Sequence, residues 1–199
     1  MRSLTFLLGA LVACGGASDA PPDPPLDAAL DAPIDAAPMC NVSSTAFGSL
    51  GARPGVATWQ QGSQPNAGLG GLFIPLEESA EPDQLYISLW SMTQQDPEPI
   101  VAGTYPLVGP QLQLSTCTVC VAIGANWAPG GPAPLDDVYV ATGGTVVITT
   151  IETQAGGALE IGFEGLTFEH AVLTPSGNVP AGDGCVTSID DISFSGTFQ

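Results

Sequence analysis

Apolar and polar residues alternate along most of this chain with a period of two, in short runs cut by glycine or proline. Strands with one dry and one wet face read this way. In Leu85-Tyr-Ile-Ser-Leu-Trp90, Leu85, Ile87 and Leu89 share a face. Leu159, Ile161 and Phe163 alternate with Glu160, Gly162 and Glu164. After Gly165, which marks a bulge or corner, Leu166, Phe168, His170 and Val172 share a face, and Ile192, Phe194, Gly196 and Phe198 close the pattern. Asp137–Ala141 and Thr145–Ile151, separated by Gly143-Gly144, read as a hairpin. Gly55–Gln60, Gly70–Leu76, Gln111–Thr116 and Cys117–Ala125 are further strand candidates. No window beyond the first residues carries a 3.6-residue period, so almost no helix is expected. The pattern predicts an all-β fold: an antiparallel β-sandwich or jelly-roll-like single domain over residues 39–199.

Two segments precede that domain. Arg2 is followed by an apolar run from Leu4 to Ala13, which ends at Leu11-Val-Ala-Cys14. A basic start, a short apolar centre and small residues at the cut are the layout of a secretory signal, and the run is too short to span a membrane. Leu11-Val-Ala-Cys14 resembles the lipobox of bacterial lipoproteins. That resemblance implies a signal peptide over residues 1–13 and a lipidated Cys14 as the first mature residue. Gly15 after the cysteine fits sorting to the outer membrane. Residues 14–38 then form a Pro/Asp/Ala tether, with aspartate at 19, 23, 27, 31 and 35 and proline at 21, 22, 24, 25 and 33. Charge repulsion and proline favour an extended coil over a helix.

Charge narrows the function. The chain carries 20 acidic residues against 2 basic ones, Arg2 and Arg53, with no lysine and a net charge of −18. Nucleic-acid affinity rests on basic side chains against phosphate, so no nucleic-acid partner is expected, nor an electrostatic contact with anionic lipid. Acid–base catalysis would rest on carboxylates, on Tyr86, Tyr105 or Tyr139, on His170, or on a metal. The expectation is a non-enzyme, with a carboxylate-based hydrolase acting on envelope or extracellular polysaccharide as the alternative.

Setting Cys14 aside leaves Cys40, Cys117, Cys120 and Cys185, an even number that argues for two disulfides in an exported protein. Three pairings are possible. Cys40–Cys185 would staple the start of the domain near its last strand, and Cys117–Cys120 would be a local clip. Residues i and i+3 of a straight strand lie too far apart to bridge, so the clip requires a turn or bulge at Thr118-Val119. A redox pair is disfavoured, because the motif lies among strands with no basic neighbour in sequence.

From Gly103-Thr-Tyr105 through Cys117-Thr-Val-Cys120, Gly143-Gly-Thr-Val-Val-Ile148 and Gly184-Cys185 to Ser195-Gly-Thr-Phe198, the motif order resembles a group of bacterial outer-membrane lipoproteins. These carry a Pro/Asp/Ala-rich tether and a cysteine-containing β domain. The resemblance implies a disulfide-bonded β fold held at the outer membrane through the acyl chain on Cys14. It carries over no activity, and leaves the ligand, protein or glycan, open.

Other candidates are weaker. His170, beside Glu169, is expected as a core or edge histidine. The acid pairs Glu77-Glu78, Asp136-Asp137 and Asp190-Asp191, with Glu81 and Asp83 nearby, supply the oxygen ligands that calcium prefers, but no Asp-x-Asp-x-Asp-Gly loop is present. Trp59, Trp90 and Trp127 are either packed inside or form a platform for sugar rings.

Overall fold

The computed structural model describes residues 40–64, 67–92, 98–128 and 137–199. The signal, Cys14 and the tether lie outside the described residues, as does Asp136.

The chain folds as strands: β1 Ser49–Ala52, β2 Val56–Gln61, β3 Gly68–Pro75, β4 Gln84–Ser91, β5 Gly103–Pro106, β6 Val119–Gly124, β7 Val138–Ile151, β8 Ala158–Thr174, β9 Gly177–Pro180 and β10 Val186–Thr197. Among the described residues the only helical element is a short 3-10 turn, Gly109–Leu112. The all-β reading holds. The expected sandwich resolves into one ten-stranded sheet with the order β1-β10-β8-β7-β6-β4-β3-β2, with β5 added to β7 and β9 to β8. The named strands pair antiparallel except β1 with β10, which run parallel. The sheet curls until β2 meets the tail of β10. There the Gln199 N–H donates to the Ala57 carbonyl at 2.8 Å, and the Trp59 N–H donates to the Gln199 carbonyl at 3.3 Å.

The curl has a physical cause in the three long strands. On β8 the buried residues are Leu159, Ile161 and Phe163, then Leu166 and Phe168. On β10 they change from Thr187 and Ile189 to Ile192 and Phe194, and on β7 from Tyr139 and Ala141 to Val146 and Ile148. The inward parity therefore switches in all three strands along one line, at Gly143–Gly144, Gly165 and Asp190. Irregular register at that line bends the sheet without breaking its ladder. Strands that turn this corner intact need no second sheet.

Two expectations change as a result. Gly143-Gly144 does not make a hairpin, because β7 runs through it as one strand. Gly144 has φ +120°, and a Cβ there would lie 2.8 Å from Leu166 Cδ2, so the glycine lets β8 pass close. Gln111–Thr116 is not a strand but the end of the 3-10 turn and a turn after it. Polar side chains hold it against the start of β6 and against β9. Gln111 Oε1 accepts from the Thr118 and Val119 N–H groups at 3.0 and 3.2 Å, and Asn178 Oδ1 accepts from the Leu114 N–H at 2.9 Å.

Inward side chains from β2, β3, β4, β6, β7, β8 and β10 form one core, with Leu72, Ile74, Leu85, Ile87, Leu89 and Leu159 wholly buried. Each such side chain contributes about 1.5–3 kcal/mol relative to exposure. A smaller cluster of Ala122, Val138, Val140 and Ala171 lies under Leu114 and Leu173.

Candidate binding face

Both bridges join the expected partners. Cys40 and Cys185 are disulfide-bonded with Cα atoms 5.5 Å apart, and Cys117 and Cys120 with Cα atoms 5.2 Å apart. The chain bends at Thr118, so β6 begins only at Val119 and the clip escapes the straight-strand geometry.

His170 lies beside the Cys40–Cys185 bridge. Its ring stacks on buried Tyr139 with centroids 5.1 Å apart. Its Nδ1 is 2.5 Å from Asp183 Oδ2, and Asp183 Oδ1 accepts from the Cys185 N–H at 2.9 Å. The hydrogen bond from His170, then that from Cys185, holds the Asp183 carboxyl below its ordinary range. Burial pushes the Tyr139 hydroxyl above its own, against backbone hydrogen bonds at Val42 and Asn41. Stacking and pairing make His170 a strut between β8 and the loop that carries Cys185.

The acid clusters are spent on the backbone. Asp83 is fully buried, and its oxygens accept from the Ser43 N–H at 2.6 Å and the Asn126 N–H at 3.0 Å. Glu77 accepts from the Asp83 N–H at 2.7 Å and the Ser43 hydroxyl at 2.9 Å. Asp137 accepts from the Asn41 amide. These carboxylates tie the segment after Cys40 to two loops. Glu78, Glu81 and Asp190 are exposed, and Asp191 is half-buried. Among the described residues no three His, Cys, Asp or Glu side chains group as a metal site.

The tryptophans separate. Trp59 is buried against Phe198 at the seam, with ring centroids 5.4 Å apart. Trp127 and Trp90 are half-buried on the outer face of the sheet. Trp127 there joins Tyr86, named from sequence only as an acid–base candidate, and Phe73, which sequence reasoning did not single out. Phe73 and Tyr86 are direct cross-strand partners with centroids 4.9 Å apart. Trp127 meets them edge-on, at 5.2 Å from Phe73 and 6.0 Å from Tyr86. The loop carrying Trp127 is pinned where its N–H donates to the Pro82 carbonyl at 2.9 Å, and its own carbonyl accepts from the Gln84 amide. None of the three rings belongs to either apolar cluster. Two residues along the strands, Thr58, Gly71 and Ser88 form the next row, and the Ser88 hydroxyl donates to the Tyr86 hydroxyl oxygen. Gln60, Leu69 and Trp90 form the row after that. A signal for this face was present: if Leu85, Ile87 and Leu89 point inward, Tyr86, Ser88 and Trp90 must point out.

No family model, no curated protein and no solved structure matches this chain.

Proposed function

We propose that this is a membrane-anchored surface lipoprotein of the outer membrane. An acyl chain on Cys14 is the anchor, residues 15–38 are the acidic tether, and the β domain is an extracytoplasmic binding or structural module that performs no catalysis. The observation that carries the reading is the pair of disulfides, Cys40–Cys185 and Cys117–Cys120. Disulfides persist in oxidising compartments and are rare where thiols are kept reduced. They agree with an exported domain behind a leader that ends in a lipobox-like Leu-Val-Ala-Cys.

The anchor is tested by Cys14→Ala. Multiple acyl chains hold a protein firmly where one does not, so the wild-type chain partitions into the detergent phase and the variant into the aqueous phase. A variant that stays with the membrane would show that the anchor lies elsewhere.

A further inference from the structure

We propose that the outer face of β2, β3 and β4 binds the sugar rings of an uncharged polysaccharide, with Phe73, Tyr86 and Trp127 as its stacking platform. This deepens the reading of the domain as a binding module and rests on it. Aromatic faces carry negative charge density and attract the weakly positive C–H faces of a pyranose ring, while the ring's hydroxyls need uncharged donors and acceptors at the rim. The face supplies both. Of its outward positions Val56, Thr58 and Gln60 on β2 are exposed, and Leu69 and Phe73 on β3 and Tyr86 and Trp90 on β4 are half-buried.

None of these side chains is charged, in a chain of net charge −18. Glu160 and Glu164 point outward from β8, and the exposed Glu78 and Glu81 lie on the loop at the Trp127 end, off the strands. An uncharged face on an acidic domain repels anionic polymers at long range and offers a cation ring faces but no carboxylate partner on the strands. A neutral hydroxylated chain is the ligand that matches. Size argues against a protein partner. Tyr86 and Trp90 lie four residues apart on β4, about 13 Å, and the three strands span about 10 Å. That is a patch of roughly 130 Å², where a stable protein interface takes about 800 Å² from each side. The length exceeds one sugar ring, so the Phe73–Tyr86–Trp127 end and the Trp90–Leu69 end would take successive parts of one chain.

The test uses the full chain in detergent, run through native gels containing β-glucan, mannan, galactan or xylan, with a sulfated polysaccharide alongside. Retardation by at least one neutral polymer is expected, unchanged between low and moderate salt. Phe73→Ala and Trp127→Ala each weaken it by about three- to tenfold, Trp127→Phe falls between, and Glu160→Gln on β8, outside this face, leaves it intact. Near-UV circular dichroism establishes that each variant is folded. No retardation by any of the neutral polymers overturns the inference. So does retardation by the sulfated polymer alone, retardation indifferent to both alanine variants, or a dimer that Trp127→Ala dissociates. Loss of sugar binding with Cys14-dependent membrane retention intact overturns this inference alone. Loss of that retention overturns the lipoprotein reading.

Discussion

Removing the two disulfides separately should cost very different amounts. Cys40 and Cys185 are 145 residues apart in sequence, whereas Cys117 and Cys120 are 3 apart. A cross-link stabilises mainly by restricting the unfolded chain, and the chain-entropy relation gives about 5 kcal/mol for the long loop and about 2 kcal/mol for the short one. Cys185, Cys117 and Cys120 are all buried, so replacing each pair by alanine adds a comparable cavity term of about 1 kcal/mol to both variants. The difference of about 3 kcal/mol therefore survives. At about 2–4 °C per kcal/mol for a domain of this size, Cys40→Ala/Cys185→Ala melts about 12–24 °C below wild type and Cys117→Ala/Cys120→Ala about 6–12 °C below. The first variant still folds, because the Phe47 N–H to the Ser188 carbonyl at 2.8 Å and the Thr187 hydroxyl to the Ser44 carbonyl at 2.7 Å also hold the N-terminal segment. Urea unfolding, with the slope compared among the three proteins, gives the free energies directly. Equal losses from the two double variants would refute the loop-length argument.

Acid should expose the Asp183 contribution. Its carboxyl is held low by His170, so it stabilises above its unfolded value, about pH 4, and that stability is lost as pH falls through the lower folded value. Asp183→Asn is thus destabilised at pH 6, and the gap to wild type narrows below about pH 4 in parallel urea titrations. Alkali acts on Tyr139 in the opposite sense: burial raises its hydroxyl, so the stability it contributes is full below its unfolded value, about 10, and falls as pH rises through the folded one. Tyr139→Phe should flatten that alkaline fall, measured as melting temperature against pH. Gly144→Ala forces a Cβ to 2.9 Å from Leu166 Cα at φ +120°. It should cost about 1–3 kcal/mol, whereas Gly162→Ala, with open space around it, should change little in the same melt.

The alternation was legible wherever one face is dry and the other wet. Leu159-Glu-Ile-Gly-Phe163 takes the predicted faces, and Gly165 marks the predicted irregularity. Parity was unreadable in Gly70-Gly-Leu-Phe-Ile74, where consecutive residues are apolar on both faces. Phe73 consequently received no face, and its partnership with Tyr86 depends on a pairing between strands that no local pattern encodes. The Gly143-Gly144 doublet misled for a related reason. Two glycines suit a hairpin turn, but here the demand comes from Leu166 on a neighbouring strand. Gln111–Thr116 has strand-like alternation, yet the amide of Asn178 competes for its backbone from 64 residues away. The bend at Thr118 was legible because the geometry of the Cys117–Cys120 disulfide is local.

The seam between β2 and the tail of β10 also governs the order of folding. Ala57 meets Phe198 across almost the whole length of the domain, so the last contact of the sheet waits for the last residues of the chain. Such distant contacts form slowly, since loop-closure entropy must be overcome before they stabilise anything. A chain lacking its final strand leaves the core without Ile192, Phe194 and Phe198 and keeps the edges of β2 and β8 open. Closure of the sheet therefore waits for the C-terminal residues, a condition that suits the export proposed above. In an oxidising compartment, joining Cys40 to Cys185 brings the two ends of the search together before the strands need to find each other.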